Sequence, residues 1–323
     1  MELWDNYSRK IDYLRLSITD RCNLRCIYCR PGLIKAQQER KDLLTYEEIL
    51  RLVRCAVEVG ISKIRLTGGE PLIRRDIVDL IRAIICIPGV RDLSLTTNGI
   101  LLPYYIDGLV AAGLKRINIS LDTLDPQLFR TMTGGRLEDA LKGLRWAQER
   151  GLNPIKINVV VLAGINDDLE PFARLSMEEE VYIRFIGYMP LESTNLATGD
   201  SMRGLSYQEM LEKLSSCGSL RPTANPEGAG PATYFRYQGA RGIIGLICSE
   251  SNCFCQSCNR LRVTSDGKLK TCLFGSEELD LKNYLRDGST DEQLKGFLIS
   301  SLARKPQKRS QKFLSRDMSE VGG

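Results

Sequence analysis

The residues in this sequence best equipped for chemistry are its cysteines. Eleven occur with no histidine at all, and seven crowd into two short runs near opposite ends of the chain. Cys22, Cys26 and Cys29 form a Cys-x3-Cys-x2-Cys run. Cys255, Cys258 and Cys272, with Cys253 just upstream, form the other. Thiolates select zinc, copper(I) or iron–sulfur clusters. Structural zinc takes four protein ligands in a closed site, and no fourth cysteine lies near the first run. Three thiolates suit a four-iron cluster that keeps one iron open for a ligand that is not protein. Zinc shared with a distant ligand is the alternative for the first run, and zinc held by all four cysteines for the second.

Within the second run, Cys255 and Cys258 are preferred to Cys253. A CxxC turn aims two thiolates at one metal, whereas Cys253 and Cys255 lack that turn. Thirteen residues separate Cys258 from Cys272, which supplies the third sulfur. The remaining Cys55, Cys86, Cys217 and Cys248 lie in mostly apolar contexts and are expected as buried small hydrophobes. Without histidine there is no imidazole ligand, base or proton shuttle. Chemistry therefore falls to cysteine, lysine, arginine, carboxylates or a cofactor.

The totals narrow the class. A chain of 323 residues, 43% hydrophobic and 26% charged, suits one large soluble domain plus an appendage. The net charge of +5 is too small for a nucleic-acid footprint, but favours anionic small molecules if the cations converge. The opening MELWDNYSRK has no apolar leader and no stretch of 18 apolar residues follows, so neither secretion nor membrane spanning is expected. An odd cysteine count argues against a disulfide framework and for a reducing, cytoplasmic setting.

These residues need elements to hold them. Strand-like runs at Tyr13–Thr19, Lys63–Thr67, Asp92–Asn98, Arg116–Asp122, Pro154–Val161 and Val181–Gly187 alternate with helix-like runs. The latter are Thr45–Val59, Arg75–Ile87, Leu101–Ala112, Leu137–Arg150 and Leu169–Glu178. The TYEE at Thr45 is a capping box, and Gly60, Gly113 and Gly151 stand where helices should stop. Repeated strand, helix, strand implies parallel strands joined by crossovers. Parallel strands covered on both faces read as continuous apolar runs. Here one face stays polar: Arg15 and Ser17, then Lys63, Arg65 and Thr67, then Ser94 and Thr96, then Asn118 and Ser120, then Lys156 and Asn158, then Arg184. An incomplete, TIM-like (β/α)6 barrel accounts for this, with helices outside and a wet cationic cavity inside. Residues 1–190 would form that core. Residues 191–323 would form an extension closing the open side, with a helix at Ser206–Ser216, a Pro- and Gly-rich stretch over Thr223–Ala240, and strands at Ile243–Ile247, Arg260–Thr264 and Lys268–Leu273. The first cysteine run follows the first strand, at the sheet end where such folds place active sites.

With its flanks, DRCNLRCIYC resembles the CxxxCxxC signature of the radical S-adenosylmethionine superfamily. FCQSCNRLRVTSDGKLKTCL, YLRLSITDRCNLRCIYC, KIRLTGGEPLIRRDI, LTTNGI, INISLDTL and the terminal double glycine resemble its GTP 3′,8-cyclase family, which serves molybdenum cofactor biosynthesis. The likeness runs from Tyr13 to Gly323. It implies two 4Fe–4S clusters, one held by Cys22, Cys26 and Cys29 and one by Cys255, Cys258 and Cys272, the second open to the guanine of GTP. S-adenosyl-L-methionine would bind the first cluster, beside Tyr28, Gly68, Gly69, Thr96, Ser120 and Met189. Arg260 and Arg262 match the pair following CxxC. Two apart on a strand, they share a face, and the likeness gives them a triphosphate clamp and counts them as catalytic with the first three cysteines. Arg15, Lys63, Arg65, Lys156 and Arg184 match further cations around GTP, and Gly322 and Gly323 match a tail that enters the site.

The likeness further implies the reaction. A flavodoxin-like or ferredoxin-like donor would reduce the first cluster, and a 5′-deoxyadenosyl radical would take the 3′ hydrogen of GTP. The ribose radical would attack C8, giving (8S)-3′,8-cyclo-7,8-dihydroguanosine 5′-triphosphate for a cyclic pyranopterin monophosphate synthase. No nucleic-acid or membrane partner is expected, and a homodimer is left open. An auxiliary-cluster enzyme acting on a peptide is the rival reading. Two departures stand out: Arg30 replaces the family's common Met after the third cysteine, and the family's carboxy-terminal histidines are missing.

Overall fold

A computed structural model describes residues 2–29, 38–39, 41–190, 202–226, 230–248, 254–309 and 316–322. Arg30, Cys253 and Gly323 lie outside the described residues. Six parallel strands run in sequence order: β1 (Tyr13–Ser17), β2 (Lys63–Thr67), β3 (Asp92–Thr97), β4 (Arg116–Ser120), β5 (Ile155–Val161) and β6 (Tyr182–Gly187). Between them come α1 (Tyr46–Glu58), α2 (Ile77–Ile85), α3 (Leu102–Ala111), α4 (Pro126–Thr133), α5 (Leu137–Glu149) and, before β6, α6 (Glu170–Glu178). The outward strand residues Leu14, Leu16, Ile64, Leu66, Ile117 and Ile119 are almost fully buried in one apolar cluster with Ile49, Leu52, Leu80 and Leu109 of the helices. Thr45 caps α1 through the expected box, accepting from Glu48 N at 3.2 Å while Glu48 accepts from Thr45 N at 2.7 Å.

Residues after 190 add strands to both edges of this sheet. After α7 (Tyr207–Ser216) come β7 (Leu220–Pro222), β8 (Thr233–Tyr237), β9 (Ile243–Ile247), β10 (Arg260–Val263), β11 (Lys268–Lys270) and β12 (Leu279–Asp280). β9 pairs in parallel with β6 and β10 in parallel with β1. One twelve-stranded sheet results, β12-β11-β10-β1-β2-β3-β4-β5-β6-β9-β8-β7. It is a partial barrel, prolonged at both edges and unclosed by hydrogen bonds. The chain then runs through α8 (Leu281–Arg286) and α9 (Asp291–Ser301) to a short α10 (Met318–Val321).

Three features depart from the sequence reading. The stretch Thr223–Ala240 holds β8, whose Thr233-Tyr234-Phe235 run pairs with β9; the surrounding Pro and Gly masked its strand character. Helix α4 was not anticipated, although Asp125 accepts from Leu128 N at 2.6 Å, Pro126 opens the helix and Gly134 at φ 74° ends it, which are ordinary start and stop signals. Cys55 and Cys248 are buried as expected, but Cys86 is exposed and Cys217 half-buried. Both of the latter sit just past a helix end, where the apolar stripe has run out. No helix among the described residues is long and apolar enough to cross a membrane.

Candidate active site

The inward face of the sheet carries two adjoining cavities. One is lined by Cys22, Cys26 and Cys29, together with Tyr28, Gly69, Thr96, Ser120 and Met189. Every residue that the sequence reading grouped around S-adenosylmethionine thus meets there. The cysteine loop is pinned from two sides. Arg25 N and Ile27 N donate to Thr133 O and Met132 O of α4 at 2.8 and 2.9 Å. The Tyr28 hydroxyl donates to Asp122 Oδ2 at 2.6 Å, while Val160 N donates to the other carboxylate oxygen at 2.8 Å. Burial, then Asp122 and the neighbouring thiols, pushes Cys26 well above the usual thiol range.

The TGGEP segment closes on this loop from β2. A Cβ at Gly68 would stand 2.4 Å from Thr19 O, and one at Gly69 would stand 2.1 Å from Arg21 O. Gly69 N and Glu70 N donate to those same carbonyls, each at 2.7 Å. Only glycine permits so close a backbone approach. Glu70 is fully buried and accepts from Leu72 N, Thr97 Oγ1 and Asn98 N at 3.0, 2.7 and 2.7 Å. Burial outweighs those bonds and pushes its carboxyl to about 7.

The second cavity is lined by Cys255, Cys258 and Cys272 and by six arginines, Arg15, Arg65, Arg184, Arg260, Arg262 and Arg309. Among its described lining residues there is no Asp or Glu. Arg262, Arg15 and Arg65 stand in register on β10, β1 and β2, only 6–8% exposed. Like charges directly opposite repel, and burial adds to the cost. Burial first, then Arg262 and Arg65, holds Arg15 well below its usual range. Burial and Arg260 bring Arg262 to about 10. Such a row is stable as a site for a polyanion, since guanidinium forks match phosphate. Arg184 is aimed by Nη2 donating to Asn118 Oδ1 and Asn158 Oδ1, each at 2.6 Å. Arg262 Nη1 donates to Gly322 O at 2.8 Å.

The two cavities share Asn158, Ile186, Met189 and Met318 in their walls, so they adjoin. Both cysteine sets fit four-iron clusters: three thiols each, no imidazole, one side facing open space. The surroundings differ. Burial raises Cys258, but Arg260 and Lys305 outweigh it and bring the thiol to about 6.

Two of the expected cations stand apart. Lys63 lines neither cavity and pairs with Asp12 at 2.8 Å, where β2 begins. Lys156 is 1% exposed, one rung further from the cavities than Asn158, with Nζ 5.8 Å from the Tyr182 ring. Conversely, Tyr13 was read only as a strand start. It lines the cationic cavity, lies 5.4 Å under Arg65, and its buried hydroxyl has no hydrogen-bond partner among the described residues. Burial raises this phenol, yet Arg65, Arg15, Arg116 and Arg184 outweigh it, and the net shift is down. Its place in the same alternation as Arg15 could have revealed it. Met318, from the tail, left no such signal.

Comparison with known proteins agrees with this geometry. Residues 16–176 match the Radical SAM superfamily and residues 181–311 match Molybdenum Cofactor Synthesis C. A GTP 3′,8-cyclase of Peptoclostridium acidaminophilum is 44% identical over 326 residues, covering 99% of this chain and 98% of that protein. The GTP 3′,8-cyclase of Thermodesulfovibrio yellowstonii is 45% identical over 325 residues, 99% of each. Among solved structures, Streptococcus suis SuiB bound to S-adenosylmethionine superposes with a TM-score of 0.61 over 98% of this chain and 79% of that one. At 14% identity that is a likeness of fold alone.

Proposed function

Because this chain belongs to the radical S-adenosylmethionine superfamily and, within it, to the GTP 3′,8-cyclases, we infer that it cyclises GTP to (8S)-3′,8-cyclo-7,8-dihydroguanosine 5′-triphosphate in molybdenum cofactor biosynthesis. The observation that carries this reading is the junction of a three-thiol cavity with a second three-thiol cavity walled by arginines and, among its described residues, by no carboxylate. A peptide substrate gives no reason for six converging arginines; a triphosphate with roughly four negative charges does.

When bound and reduced, the first cluster with S-adenosylmethionine would supply the radical chemistry that the cyclisation needs at the ribose 3′ position. The chain itself does the placing. Cys22, Cys26 and Cys29 would hold that cluster, and Tyr28, Gly69, Thr96, Ser120 and Met189 would orient the cofactor. Cys255, Cys258 and Cys272 would hold the second cluster, which would offer the purine a binding site. Arg15, Arg65, Arg184, Arg260 and Arg262 would fix the triphosphate, and the charge they share would make its binding strongly favourable. Lys63 and Lys156 would contribute from a greater distance. Met189 and Met318, common to both cavities, would exclude water where the radical crosses. Residues 1–190 would act as the radical core and the remainder as the substrate-holding extension.

A flavodoxin-like or ferredoxin-like protein as electron donor, hand-off to a cyclic pyranopterin monophosphate synthase, a cytoplasmic setting and a homodimer complete the proposal. The test is anaerobic incubation with dithionite, S-adenosylmethionine and each of the four nucleoside triphosphates, followed by mass spectrometry. Cyclisation of GTP alone is expected. Turnover of another nucleotide at equal rate, or of none, would overturn the reading.

A further inference from the structure

Lys305 follows the last turn after α9, and its side chain is buried, with the residue 3% exposed. Its Nζ lies 2.8 Å from Arg260 O, 2.8 Å from Thr271 O and 3.5 Å from Cys258 Sγ. An ammonium has three N–H donors and no acceptor, so each proton has one partner here. Those partners lie on the two arms that carry the second cysteine set, two residues after Cys258 and one before Cys272. Among the described residues no carboxylate pairs with Lys305; the only sulfur its ammonium meets is the Cys258 thiol.

The segment holding this lysine is itself tied to the third cysteine. Arg9 donates from Nη1 to Cys255 O at 2.7 Å and from Nη2 to Pro306 O at 2.9 Å. Its Nε meets Asp5 Oδ2 at 2.6 Å. Residues 305–306 are therefore stitched to all three ligand arms, by one ammonium and one guanidinium. Neither was singled out in the sequence, because both lie far from the CxxC motif along the chain.

We propose that Lys305 is a positioning residue of the second cluster, whose ammonium donates to the Cys258 sulfur and raises that cluster's reduction potential. This rests on Cys255, Cys258 and Cys272 being the ligands. A positive charge and a hydrogen bond on a ligand sulfur both favour the form that has accepted an electron. They also withdraw electron density from the cluster, which strengthens the hold of its open iron on a purine donor.

The experiment uses the full chain with Cys22, Cys26 and Cys29 all replaced by alanine, so that only the second cluster reports. It is reconstituted anaerobically and titrated with dithionite and mediators, with the reduced cluster followed by electron paramagnetic resonance. Lys305→Met is expected to keep its iron while the ratio of reduced to oxidised cluster at fixed potential falls about tenfold, equivalent to about 59 mV for one electron. Lys305→Arg should keep the parent potential. An iron-replete Lys305→Met with unchanged potential overturns the proposal. Should Lys305→Met fail to hold iron, Lys305→Arg decides: iron with the parent potential supports it, whereas iron with a lowered potential, or no iron, overturns it. Absence of iron with Lys305 intact would instead sink the ligand assignment, which separates the two failures.

Discussion

Arg262, on a strand of the extension, donates to the carbonyl oxygen of Gly322, the last described residue of the tail, at 2.8 Å. Gly322 has φ of 73°, and a Cβ there would stand 2.1 Å from Thr67 Cγ2 at the end of β2. The tail thus lies over β1, between Arg262 of β10 and Thr67 of β2, where the space beside Thr67 admits glycine and excludes alanine. Loss of Gly322 and Gly323 is expected to lower cyclisation at least tenfold while both clusters and the melting temperature stay unchanged. Gly322→Ala and a short carboxy-terminal tag should act the same way. Rates within twofold of the intact chain would reduce this tail to an ordinary frayed end.

The tail is anchored by Arg316, which donates to both oxygens of Glu278 at 2.6 Å and to both of Asp266 at 3.0 and 3.1 Å. Such bidentate pairs fix geometry as well as charge. Arg316→Met should lower the turnover number several-fold while leaving the affinity for GTP within twofold. Hydrogen exchange over residues 316–322 should rise in the variant. Unchanged exchange would show that the tail is held elsewhere.

Replacing Cys22, Cys26 or Cys29 by serine should abolish 5′-deoxyadenosine formation, because the cluster feeding electrons to the sulfonium is lost. Replacing Cys255, Cys258 or Cys272 should block GTP conversion but leave some uncoupled cleavage of S-adenosylmethionine. Cys253→Ser is the control and should leave about eight irons per chain, the content of two four-iron clusters. Loss of about four irons in that control would exchange the ligand assignment.

Arg260→Ala and Arg262→Ala should each weaken GTP binding tenfold or more, since a charge-assisted bond is worth about 1.5–3 kcal/mol. S-adenosylmethionine affinity should change less. Titration calorimetry with GTP and with guanosine separates the causes. An equal loss for guanosine would mean that these arginines read the base or hold the fold.

Burial first, then Arg184, Arg116 and Arg65, brings Lys156 down to about 6. An unfolded lysine titrates near 10.4, so between these values the unfolded chain carries a proton that the folded chain lacks. Stability of the ligand-free protein should therefore rise with pH over that window, by up to about 1.4 kcal/mol per pH unit from this group, and fall on acidification. Melting temperatures from pH 6.5 to 9 should show this slope, and Lys156→Met should flatten it. An identical slope in the variant would assign it to other groups.

Much was legible in the sequence because its signals are local. Cysteine spacing narrowed the chemistry to a thiolate-held cluster or zinc, the flanking motifs chose the cluster, and the period-two alternation put Arg15, Arg65 and Arg184 on one face. The motif TGGEP was legible as a segment, but the carbonyls of Thr19 and Arg21 that its two glycines pack against were not. What the sequence could not give was adjacency between distant segments. Parallel pairing of β10 with β1 sets Arg262 beside Arg15, 247 positions apart in the chain, and nothing local encodes a strand's neighbour. Lys63 and Lys156 share the alternation of the cavity cations, yet Asp12 and the depth of the barrel withdraw them, because alternation fixes the face and not the distance along it. Lys305, Arg9 and Arg316 acquire their partners only when the chain closes on itself. Residue type and period determined what could be bound; the order of strands in the sheet decided where the two thiol sets meet.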